Sequence, residues 1–158
     1  MENMGCDIHP HIEYKHSGST AYEWFASPDS GQSYLLFALL ADVRKRWVKE
    51  HMGLEVSAMY APRGIPADTS YKTSRGHDGC EYWSDRTQAW ELDTEFHSGS
   101  WLKTDELQAV IETYFGILGN SIEEYRAQYG IDQCVELRAT LKAMEVLPNA
   151  RLVFWFDN

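Results

Sequence analysis

The stretch Arg151-Leu152-Val153-Phe154-Trp155-Phe156 decides the fold of this chain. After Arg151 every residue is aromatic or aliphatic, and β-branched and aromatic side chains suit a pleated strand. A run that is apolar on both faces belongs in the centre of a sheet, not at its edge. Pro148-Asn149 supplies the turn that leads into it. Its expected neighbour comes from the other end of the chain, where Gly5 to Lys15 reads as a half-buried strand. His16-Ser17-Gly18-Ser19-Thr20 is turn chemistry, and Ala21 to Ala26 reads as the hairpin partner.

Between these strands lie helical patterns. Over Ser33 to Glu50, Leu36, Leu39, Leu40, Val43 and Trp47 recur at spacings of three and four. Thr104-Asp105-Glu106 predicts a capped helix start running to about Phe115. Ser121-Ile122-Glu123-Glu124 predicts a second, ending at Gly130, and Asp132 to Val146 a last one. Met52 to Ser100 reads as a long irregular segment, since Pro62 and Pro66 each remove a backbone donor. The expected class is α+β. An antiparallel sheet holds the N- and C-terminal strands and packs with three or four helices. Residues 1–158 form a single domain.

Charge bounds the partners. Fourteen Lys and Arg against 24 Asp and Glu give a net charge of −10, which disfavours nonspecific nucleic-acid binding. Cys6, Cys80 and Cys134 are odd in number and form no CxxC pair, which suits a reducing cytoplasm. No secretory h-region and no membrane-length apolar run is present. Six Trp and nine Tyr exceed what the core needs, so some are expected at a pocket or an oligomer interface.

The chemistry concentrates near the amino end, in Asp7-Ile8-His9-Pro10-His11-Ile12-Glu13. Side chains two apart on a strand share a face. Asp7, His9, His11 and Glu13 therefore form one row, opposite Cys6, Ile8, Pro10 and Ile12. Two imidazoles at i and i+2 can converge on zinc, manganese or iron, with a further ligand from elsewhere. The row spans roughly 20 Å, too long for one ion. His97-Ser98-Gly99-Ser100-Trp101 lies before a helix start, and Gly99 permits close backbone approach. Pro62-Arg63-Gly64 frames one guanidinium, suited to a phosphate or to a structural pairing with Asp68. His77-Asp78 reads as a solvated loop, because adjacent residues rarely face the same way.

Three stretches carry a resemblance. They are Met4-Gly5-Cys6-Asp7-Ile8-His9-x-His11-x-Glu13, then Pro62-Arg63-Gly64-Ile65-Pro66-x-Asp68, and the ending Val153-Phe154-Trp155-Phe156-Asp157-Asn158. His97-Ser98-x-Ser100-Trp101 also fits. Together they resemble an uncharacterised family of small proteins from tailed bacteriophages and prophages. The resemblance implies a phage accessory protein in the host cytoplasm. By analogy, such proteins destroy or sequester nucleotide signals of host defence.

Two readings of the function follow, and a third. In the first the chain is a metal-dependent phosphohydrolase or phosphodiesterase of a nucleotide or cyclic nucleotide. His9, His11 and His97 hold zinc or manganese with Asp68. Glu13 is the base that activates metal-bound water, supported by Asp7. Arg63, Ser98 and Ser100 bind the phosphoryl group, and Trp101 or Trp155 stacks on the base. In the second the same groups sequester the nucleotide without turnover. In the third the chain is an acidic decoy of a basic host protein.

Overall fold

The computed structural model describes residues 5–78, 81–92, 96–119 and 133–157. The fold is α+β. A four-stranded antiparallel sheet has the order β2-β1-β6-β5. Its strands are β1 (Ile8–Tyr14), β2 (Glu23–Ala26), β5 (His97–Lys103) and β6 (Arg151–Phe156). The two chain ends thus pair directly at the sheet centre, and all six residues of β6 are buried. A separate hairpin joins β3 (Glu81–Ser84) to β4 (Ala89–Leu92).

One sheet face builds the core. Ile8 pairs with Phe156, Pro10 with Phe154 and Ile12 with Leu152. Leu102 of β5 joins them. Three helices cover this face: α1 (Tyr34–Ala41), α4 (Thr104–Leu118) and α5 (Gln133–Val146). In α4, Leu107, Val110, Ile111 and Tyr114 are buried, the spacing of a single helical stripe. Its N-cap falls on Lys103, one residue earlier than expected, with the Glu106 carboxylate accepting from Lys103 N at 3.0 Å.

The predicted helix over Ser33 to Glu50 is two helices. Asp42 and Arg44 both take left-handed backbone conformations, with φ of 61° and 60°. They separate α1 from α2 (Lys45–Met52). The reason is packing. Leu35 to Ala41 are buried all round, so α1 is a core helix, whereas α2 exposes its charged side. The Asp42 carboxylate accepts from Ala58 N at 2.8 Å and holds the following loop at the break.

The segment from Met52 to Ser100 is more regular than its sequence implies. It contains α3 (Tyr71–Asp78), the β3–β4 hairpin and the first part of β5. Weak periodicity hides these elements because each is short and draws stability from what it covers. The expected helix from Ser121 to Tyr129 lies outside the described residues. Among the described residues, no helix is long and apolar enough to cross a membrane.

Candidate functional site

The second sheet face carries the polar row, and α3 lies across it. Lys72, Thr73, Gly76 and His77 form the covering stripe of α3, at the i, i+4 spacing of one helix side. The Lys72 ammonium sits 3.6 Å from the Trp24 ring centre. Thr73 is fully buried. A Cβ at Gly76 would rest 3.4 Å from His11 Nε2 and 3.5 Å from Trp155, so this helix approaches the sheet closely. Alternation works as the sequence predicts: His9 pairs with Trp155, His11 with Val153 and Glu13 with Arg151, all on this face. Asp7 precedes β1, and its exposed carboxylate accepts from Gln32 at 3.1 Å.

At one end the row is sealed. Glu13 is fully buried, and its Oε1 accepts from Arg151 Nε and Nη2 at 3.1 and 2.9 Å. Its other oxygen accepts from Ser70 N at 2.7 Å. Arg151 also donates to Asp68 Oδ1 at 3.0 Å, and its guanidinium lies 3.4 Å from the Tyr22 ring centre. A buried ion pair is tolerated only when its lone pairs and protons are matched in this way. Glu13 and Asp68 therefore clasp the sheet to the segment leading into α3, with Arg151 rather than the histidines as their charged partner.

His11 occupies the middle. Its Nδ1 accepts from Trp24 Nε1 at 3.0 Å, and its ring stacks on Trp155 at 4.8 Å. Burial lowers its pKa to about 4. The Glu13 charge opposes this, and His9 and Lys72 add to it. His11 is thus neutral at pH 7 with its proton on Nε2. The nitrogen lone pair that a metal would take is already bonded to Trp24.

The other end is open. His9 donates Nε2–H to Asp157 Oδ2 at 2.6 Å, and its side chain is 37% exposed. A carboxylate can only accept, so the pair fixes the tautomer and leaves Nδ1 as a base. His77 donates Nδ1–H to Asp78 Oδ1 at 2.5 Å and leaves Nε2 available. These two adjacent residues do pair, contrary to the loop expectation, since α3 presents them across a sheet. Both imidazoles border the same two rings. His9 lies 5.3 Å from Phe96 and 6.0 Å from Trp155, and His77 lies 6.0 and 5.1 Å from them. The Trp155 Nε1–H is buried without a hydrogen-bond partner among the described residues.

His97 does not join this group. It pairs in register with Phe156 and stacks on that ring, which places it on the core face of the sheet. His9 stands on the opposite face. Ser98 adopts a left-handed conformation and its hydroxyl bonds His97 Nδ1 at 2.9 Å. Ser100 is buried and accepts from Arg63 N at 2.9 Å. The Arg63 guanidinium stacks over Trp101 and pairs with Glu106, not with Asp68. Arg63 holds the Glu106 carboxyl down to about 2 by hydrogen bonding, against the opposing effect of burial. Gly64 N donates to Gly99 O at 2.9 Å, and a Cβ at Gly99 would meet Ile65 at 2.6 Å. The predicted substrate-binding set therefore fastens residues 63–65 along the β5 edge. Among the described residues, no three His, Cys, Asp or Glu side chains are grouped to hold a metal ion.

His77 and Asp157 are the residues that sequence reasoning missed. Asp157 was legible as a carboxylate one position past the central strand, opposite Asp7 and His9. His77 was visible only as half of a loop dipeptide. A separate cavity of about 630 Å³ opens beyond the sealed end, lined by Tyr22, Trp101, Lys103, Met144 and Arg151 among others. Comparison with protein-family models, with curated proteins and with solved structures returns no match.

Proposed function

We propose that this chain is a hydrolase of a nucleotide phosphoester that works by paired imidazoles. The observation that carries the reading is the two His–carboxylate pairs, His9–Asp157 and His77–Asp78, set against the same Phe96 and Trp155 rings. His9 Nδ1 takes a proton from the attacking water as its oxygen bonds to phosphorus. Protonated His77 donates Nε2–H to the oxygen that leaves. One proton is taken and one is given, so the pair ends with its protonation exchanged and is reset through solvent. The two carboxylates orient the rings. Phe96 offers the flat wall that a base requires. In the phage setting that the resemblance implies, the substrate is a nucleotide signal.

The test is hydrolysis of a panel of cyclic mono- and dinucleotides by the purified protein, with and without a chelator. Cleavage should persist in chelator. His9→Ala and His77→Ala should each lower kcat by about 10²–10⁴-fold. Activity that needs an added metal, or that survives both substitutions, would remove this reading.

The cavity beside Arg151 favours a second reading, binding without turnover. Its volume lies within the range of small-molecule sites, and it offers Tyr22 and Trp101 rings with the Lys103 ammonium. Stoichiometric binding of a nucleotide recovered unchanged, lost in Trp101→Ala and retained in His9→Ala, would identify it.

A further inference from the structure

Between α3 and β5 the hairpin turns an aromatic face outward. Opposed residues on an antiparallel pair share a face. Glu81 opposes Leu92 and Trp83 opposes Trp90, so these four form one face. All four are exposed: Trp83 by 47%, Trp90 by 66% and Leu92 by 53%. On the reverse face Ser84 is buried, Glu91 is partly buried and Ala89 is exposed. The two indoles meet edge to face at 5.9 Å and 73°. That contact orders the rings but leaves much of each in water. Contiguous exposed apolar surface of this kind marks an interaction site.

Charge selects the occupant. Glu81 and Asp85 lie on or beside this face and Arg86 is in the turn, within a chain of net charge −10. Asp85 Oδ1 accepts from Trp83 Nε1 at 3.1 Å, so a carboxylate is fixed at the rim of the aromatic face. Glu81 stands on the face itself. A second copy would set these acids against themselves. Nucleic acid and anionic lipid would be repelled for the same reason. A guanidinium, in contrast, stacks on an indole face and pairs with a carboxylate at its edge.

We propose that the Trp83–Trp90 face of the hairpin is a docking surface for an arginine-bearing segment of a basic protein partner. The surface is separate from the imidazole pairs, so it stands or falls independently of the hydrolase reading.

The test is titration of the full chain with an oligo-arginine peptide, followed by tryptophan fluorescence, with oligo-glutamate as control. Saturable binding is expected at low salt, weakened about tenfold or more at ~0.5 M salt. Trp90→Ala, which removes the indole and leaves the net charge unchanged, should lower affinity at least about tenfold, equivalent to 1.4 kcal/mol, with the thermal midpoint unchanged. Glu81→Gln, which leaves both indoles in place, should weaken binding by a smaller factor. Oligo-arginine binding that is unaltered in both variants would overturn the proposal, because it would show attraction to net charge alone. Wild-type dimerisation abolished by Trp90→Ala would assign the face to a second copy and also overturn it. Equally tight binding to phosphatidylcholine vesicles would do the same.

Discussion

The two ends of one sheet face are built from the same kinds of residue and do different work. At the Glu13 end, a carboxylate and a guanidinium are removed from water, and every acceptor and donor is matched by Arg151, Ser70 or Asp68. At the His9 end, each imidazole meets one carboxylate and keeps a second nitrogen and a share of its surface. Titratable groups alternating on a strand thus do not amount to a site. Burial decides. Where the covering segment seals the row, the charges become a clasp, and beside His77 the imidazoles keep a nitrogen and part of their surface.

The largest expected effect lies at the sealed end. Arg151→Met leaves Glu13 buried with only the Ser70 amide, and should cost about 3–5 kcal/mol in denaturant unfolding. That is a large share of a total near 5–15 kcal/mol. Combining it with Glu13→Leu should recover part of the loss, since no buried charge then stays unpaired. A loss under 1 kcal/mol for Arg151→Met would mean that this end is wetter than its burial indicates.

Next in size is Gly99→Ala. The new methyl would press on Ile65, whose side chain is held beside the β5 edge by the Gly64–Gly99 hydrogen bond. Overpacking of this kind costs about 1–3 kcal/mol. Thermal unfolding of the variant reads it directly. Gly99 was legible as a place of close approach, but the approaching group was not.

His11 links the two ends through pH. Its pKa falls from 6.5 in the unfolded chain to about 4 in the fold. Between those values the unfolded chain takes up a proton that the folded chain does not. Stability therefore falls as pH drops through that window, by at most about 1.4 kcal/mol per unit. Above it, His11 adds no slope. His11→Gln keeps an acceptor for Trp24 and should flatten this part of the stability–pH curve. A His11 imidazole resonance titrating near 6.5 in the folded protein would contradict the assignment.

The smallest stability effect belongs to the open end. His9→Ala and Asp157→Asn remove a partly exposed pair and should each cost no more than about 1 kcal/mol. Phosphoester hydrolysis is where they should register. A variant that loses stability and keeps activity would reverse the roles of the two ends.

Local patterning alone determined the centre of the sheet and its N-terminal hairpin, but not β5. Five apolar residues in a row at Leu152–Phe156 suit no edge position, and strict alternation from Ile8 to Glu13 assigns each side chain of β1 to a face. Those inferences hold because strand periodicity is a property of the backbone. Tertiary structure alone decided which polar residues meet. His97 is separated from His9 by the thickness of the sheet, through a register with Phe156 that no local signal encodes. Asp68, Arg63 and His77 found partners on other elements: Arg151, Glu106 and the ring of Trp155. Pairing across 80 residues follows from where a covering segment lands, and that depends on the packing of the whole chain.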